Sequence, residues 1–106
     1  MSGMQQPANV LAVKDAEAAY AKAKKAFDAK KEDAAVKGEY VKATVALGDA
    51  NMYSTDLDAK VKYRTALKYY REALKTDPAN KEAGASKDMI ESIYKQMGRP
   101  IPEEGG

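Results

Sequence analysis

The chain has no cysteine, no histidine and no tryptophan, and only one phenylalanine among its 106 residues. Without cysteine there can be no disulfide, no thiolate nucleophile and no cysteine-held metal, although the compartment stays open because exported proteins also dispense with cysteine. Without histidine the usual general base near neutral pH and the commonest metal ligand are both missing. Ser54, Ser86 and Ser92 therefore have no base to activate them, and no glycine-rich phosphate cradle is present, so the chain reads as a non-enzyme without metal or cofactor. Charge of one sign is also scarce: 18 lysines and arginines against 16 aspartates and glutamates leave +2, too little to demand nucleic acid or an anionic membrane. No apolar run approaches the roughly 18 residues that would suggest a membrane span. The stretch from Met1 to Val13 lacks the basic start and apolar centre of a signal peptide, so the chain as written reads as soluble. A second methionine at Met4 leaves room for a removed natural leader or lipid anchor, and localisation stays open.

What remains is alanine, lysine, glutamate and seven tyrosines. A chain of this length forms one domain that buries around two-thirds of its unfolded surface, so the core must come from closely packed helices with tyrosines as their large pieces. Helix formers are dense from Asp15 to Lys37 and from Lys60 to Lys75, which points to an all-α class. Val13, Ala16, Tyr20, Ala23 and Phe27 recur at steps of three and four, predicting a first helix from about Asn9 to Lys30. After a polar break at Lys30 to Asp33, Val36, Tyr40, Ala43, Leu47 and Ala50 mark a second helix ending near Tyr53. Asp56 or Asp58 is placed to cap a third, from Ala59 to Thr76, with Val61, Ala66, Leu67, Tyr70, Ala73 and Leu74 inward. Pro78 stops it, and Asn80 caps a fourth helix to about Met97 with Met89 or Ile90, Ile93, Tyr94 and Met97 as its stripe. Gly98 is a C-cap, followed by a tail held extended by Pro100 and Pro102. The domain thus spans 9–97, between a disordered segment at 1–8 and an extended tail at 98–106. Four helices of similar length with short turns read as two antiparallel hairpins, and a closed four-helix bundle shares the same pattern.

Ala66, Tyr70, Ala73 and Leu74, followed by Asp77-Pro78 and Asn80, resemble the second helix and closing turn of a tetratricopeptide repeat. Leu47-Gly48 is similar to the Leu-Gly pair of a first repeat helix, where glycine permits close contact with the partner helix. Two departures stand beside this. Gly48 to Ala66 is 18 residues, whereas the repeat of about 34 residues places about 12 between equivalent positions. Asn51 also stands where an aromatic is expected, with Tyr53 two residues later. The resemblance covers 47–80 well; outside it, the first helix echoes half of a degenerate repeat and the fourth looks like a cap. It implies a fragment of a right-handed α-solenoid that binds a peptide or helix.

Carried onto this chain, the family's groove positions fall on Lys42, Val45, Ala46, Asp49, Met52 and Tyr53. Only Lys42 suits an anion, which argues against a clamp for a terminal carboxylate and for an apolar surface. Equally, Val45 and Met52 fit a core stripe against a neighbouring helix. Tyr63 and Tyr69 point away from the Tyr70 stripe and, with Tyr53, offer contact area to a partner or to a second copy of the chain. The expected role is a protein-interaction scaffold of unknown partner, with a self-assembling helical unit as the alternative. A basic edge of Lys60, Arg64, Lys68, Arg71 and Lys75 raises weak nucleic-acid binding as a distant third, but a solvated helix face accounts for it more simply. Asp56 and Asp58 lack the further oxygen ligands and glycine of a calcium loop. The regular alternation of alanine and lysine is also what an engineered sequence would show.

Overall fold

The structure, a computed structural model, describes residues 10–103. The segment 1–8, expected to be disordered, lies outside the described residues. Four α-helices follow one another: α1 Val13–Ala29, α2 Ala34–Met52, α3 Ala59–Thr76 and α4 Lys81–Gln96. No strand occurs among the described residues. Extensive packing joins α1 to α2, α2 to α3 and α3 to α4. Each helix therefore packs mainly on its neighbours in the chain.

The turns follow the capping chemistry at three of the helix ends. Asp33 accepts the Val36 amide at the start of α2, and Asn80 accepts the Ala83 amide at 2.8 Å at the start of α4, each satisfying an amide that the first helical turn leaves free. Gly98, at φ 67°, closes α4: its amide bonds the Lys95 carbonyl and the Arg99 amide bonds the Tyr94 carbonyl, the paired bonds of a Schellman cap. The start of α3 differs from expectation. Asp58 occupies the N-cap position, but its side chain caps nothing, and the Asp56 amide instead binds the Ser54 hydroxyl. The first helix also begins later than Asn9, at Val13. Because this cap satisfies the amide of Ala83, the buried residue of the first turn of α4, Asn80→Ala should cost about 1 kcal/mol of stability, measured as a lowered urea midpoint with an unchanged denaturant slope.

The interior is centred on α2. Its buried residues, Tyr40, Val41, Thr44, Val45, Leu47, Gly48, Ala50, Asn51 and Met52, do not fall on one stripe, because α1 covers one side of the helix and α3 another. A helix enclosed from two directions must be apolar nearly all round. Its two buried polar side chains bond their own backbone: Thr44 donates to the Tyr40 carbonyl and Asn51 to the Leu47 carbonyl. Neither leaves a polar atom stranded.

Between α2 and α3, Gly48 lies directly against Tyr70. A Cβ there would stand 2.7 Å from Tyr70 Cε1 and 2.9 Å from its Cδ1, so the Tyr70 ring occupies the space any side chain at 48 would need. The ring is fully buried, with Ala66 and Ala73 beside it in the α3 core stripe. Its hydroxyl donates to Asp49 and lies 3.6 Å from the Met52 sulfur. Two residues expected inside are not: Val61 is 50% exposed and Met97 47%. Of the alternatives Met89 and Ile90, Ile90 takes the buried place on α4 and Met89 is 38% exposed. After Gly98 the chain has no regular structure through residue 103, yet Ile101 turns back to pack on the core.

Candidate functional site

Of the residues expected to bind a partner, the structure brings Lys42 and Val45 to one groove, Ala46 to another, and sets Asp49, Met52, Tyr53, Tyr63 and Tyr69 elsewhere. Val45, 4% exposed, and Met52, 1% exposed, belong to the core. Met52 is enclosed by α3, so the apolar surface expected around Met52, Tyr53 and Tyr69 is not one surface. Tyr53 packs half-buried beside Tyr63 at the α2–α3 connection, where burial, with Asp49 and Tyr63 nearby, pushes its hydroxyl pKa up. Lys62 lies 5.3 Å above the Tyr63 ring. Tyr69, in contrast, meets Tyr20 of α1 edge to face with ring centroids 5.4 Å apart. The aromatic that pattern alone left without a core partner is thus covered by the first helix. Asp49 is committed to the Tyr70 hydroxyl, and burial holds its carboxyl above the usual carboxylate range.

A polar junction that the sequence gives no sign of lies where three helices meet. Glu72 of α3 accepts the hydroxyls of both Tyr20 from α1 and Tyr40 from α2. Phe27 stacks on Tyr40 at 4.6 Å, within 3° of parallel, and closes the cluster from the α1 side. Burial first, then the Glu72 bond, drives both tyrosine pKa values far above the ordinary phenol range. No periodicity marks Glu72, because a carboxylate on the polar side of a helix pattern looks the same whether it faces water or two hydroxyls.

The basic edge of α3 is partly engaged. Arg71 faces Glu91 of α4 at 3.8 Å, and Lys68 lies 5.3 Å above the Tyr69 ring. Such contacts reduce what the stripe offers to a polyanion.

Two grooves remain. The first, about 570 Å³, runs along the N-terminal half of α2 and the α3–α4 turn. Val41 and Val45 lie along it, Lys37 and Lys42 stand on the α2 wall, and Asp77 and Glu82 stand opposite. Among the described residues none of these four charges enters an ion pair. Gly38 lines the same groove, and the position of its absent Cβ is open space. Lys42 and Val45 are the two predicted residues found here; Val41 and Gly38 were missed, although Val41 stands four residues before Val45 and so shares its helix face. The second groove, about 520 Å³, lies between α1 and α2 and is lined by Leu11, Val36 and alanines, with Lys22, Glu39 and Lys42 at its edges. Compared with protein-family models, with curated proteins and with solved structures, the chain matches none.

Proposed function

We propose that this protein is a non-enzymatic interaction module of the tetratricopeptide kind, and that it holds an extended peptide in the groove along α2. The observation that carries the reading is a groove floored by the nearly buried Val41 and Val45, between Lys37 and Lys42 on one wall and Asp77 and Glu82 on the other, four charges with no ion pair among the described residues. The charges supply the contacts to a bound chain, set its direction and exclude wrong partners. Support for the repeat resemblance comes from the close approach of Gly48 to Tyr70, from Ala66 and Ala73 at the core, and from helices that pack mainly on their chain neighbours. The lysines on one wall favour acidic residues in the peptide, and Asp77 and Glu82 favour basic ones.

The test is a peptide array followed by solution titration of the best ligand. Wild-type protein should bind saturably. Gly38→Trp, which fills the groove from a position with free space, should weaken binding at least about tenfold, or about 1.4 kcal/mol, without loss of helical circular dichroism. An array without any saturable ligand, or a Gly38→Trp variant that binds as well as wild type, would sink the reading.

A further inference from the structure

We infer that the outward face of α3 docks an acidic helix of another protein. This face shares no residue with the α2 groove. The chain as a whole carries only +2, but that charge is spread unevenly. Basic and acidic side chains stand four to three on α1, two to two on α2 and three to three on α4, against six to one on α3. The single acid of α3, Glu72, accepts the hydroxyls of Tyr20 and Tyr40 at the junction with α1 and α2. One helix therefore holds an excess of five positive charges, and its one carboxylate is committed to the other side of the helix.

Lys60, Arg64, Lys68, Arg71 and Lys75 recur at steps of three and four and form one row roughly 22 Å long. All but Arg71 are exposed, and Lys60, Arg64 and Lys68 enter no ion pair among the described residues. The Tyr69 ring beneath Lys68 steadies the ammonium without cancelling its charge. At the far end of the row, Arg71, Lys75 and Lys87 of α4 rim a hollow of about 420 Å³ that Leu74 and Glu91 also line. Glu91 shows how this surface receives a carboxylate: Lys87 stands 3.3 Å from it and Arg71 3.8 Å, with Asp88 a further partner of Lys87 at 3.7 Å. Residues four apart on a partner helix advance by about 6 Å, nearly the step of the row, so carboxylates at that spacing stay in register along it. A phosphate chain fits less well. No aromatic ring lies open on the row to stack a base, since Tyr69 meets Tyr20 and Tyr63 packs on the core. Val61, half exposed on the side shared by Arg64 and Lys68, adds an apolar contact suited to a protein.

Calorimetric titration of the full chain with synthetic helical peptides tests this. One peptide carries glutamate at every fourth position of an alanine-rich helix, and a second of the same composition spreads its glutamates round the helix. The aligned peptide should bind saturably at about 50 mM salt, weaken as salt rises, and bind at least about fivefold more tightly than the spread one. Lys60→Glu with Arg64→Glu should weaken it at least about tenfold. Lys14→Glu with Lys25→Glu, which changes the net charge equally at exposed positions of α1, should stay within about twofold of wild type. Glutamate near the start of α3 suits the helix dipole, and Lys60→Gln with Arg64→Gln repeats the measurement if the first pair loses helical circular dichroism. An aligned peptide that never saturates, equal binding of the two peptides, equal weakening by the two charge reversals, or tighter binding of a short DNA duplex or of phosphatidylserine vesicles would each overturn the inference.

Discussion

Replacing Tyr70 by alanine should remove about 3–5 kcal/mol of stability, a large share of the roughly 5–15 kcal/mol that holds a domain of this size together. The ring is fully buried between α2 and α3, and its loss leaves a cavity against Gly48. The same geometry makes the effect of a methyl group at position 48 depend on what stands at 70. In wild-type protein Gly48→Ala drives a Cβ to 2.7 Å from the ring, a contact that must be relieved by moving a side chain anchored through its hydroxyl. Overpacking of that kind costs about 1–3 kcal/mol, more than the roughly 1 kcal/mol that alanine gains over glycine in a helix interior. In the Tyr70→Ala background the obstacle is gone and only the helix preference remains. Gly48→Ala should thus destabilise wild type and stabilise Tyr70→Ala, a reversal of sign that a urea-unfolding double-mutant cycle reads directly. Equal effects in both backgrounds would show that the two residues are not in the contact described.

Alkali should unfold this protein over a narrow range beginning near the ordinary phenol pKa of about 10. Tyr70, Tyr20 and Tyr40 all have hydroxyls held protonated in the native state, first by burial and then by bonds to the carboxylates of Asp49 or Glu72. A folded-state pKa raised above the unfolded value leaves stability intact below the unfolded pKa. The loss sets in as pH climbs past that value toward the folded one, because the unfolded chain releases protons that the native state retains. Each such tyrosine lowers stability by up to about 1.4 kcal/mol per pH unit. Tyr70 approaches that limit, whereas solvent reaching the edge of the Tyr20 and Tyr40 cluster reduces their shares. Tyrosinate absorbance and far-ultraviolet circular dichroism should change together, and Tyr70→Phe should make the fall in stability with pH shallower. Tyrosines that ionise independently of unfolding, near their ordinary value, would refute the account.

How far the sequence disclosed this arrangement varies by helix, for physical reasons. The third helix packs on α2 and α4 through one continuous stripe of Ala66, Leu67, Tyr70 and Ala73, so its pattern of apolar and charged residues is sharp, and the expected bounds coincide with the observed Ala59–Thr76. The second helix is covered from two directions. A single stripe through Val36, Tyr40, Ala43, Leu47 and Ala50 captured part of its buried face and missed Val41, Thr44, Val45 and Met52, which pack elsewhere. Val45 and Met52 were placed on a binding surface by the repeat resemblance, with a core stripe against a neighbouring helix as the other reading, and both are buried in the core. Local capping chemistry was readable at Asn80 and Gly98, where the responsible side chain or backbone conformation is confined to a few residues. At Asp58 the same residue type sits in the same position without the bond, because which acceptor an exposed turn uses depends on the neighbouring turn geometry. Of the candidate groove, Lys42 and Val45 were named from the repeat resemblance, whereas Asp77 and Glu82 come from the far side of a turn whose path periodicity does not fix.

The bond between Tyr20 and Glu72 joins residues 52 apart, in a chain whose helices otherwise pack mainly on the next one along. Local pairings close short loops and form early, while a contact across so many residues carries a larger closure entropy and is made late. The first helix buries only Ala16 completely and depends on the aromatic junction for its hold on α3. Amide exchange there should accordingly run ahead of the α2–α3 pair. One wall of the alanine-lined groove therefore belongs to a helix that opens before that pair, and anything seated in the groove would slow the opening.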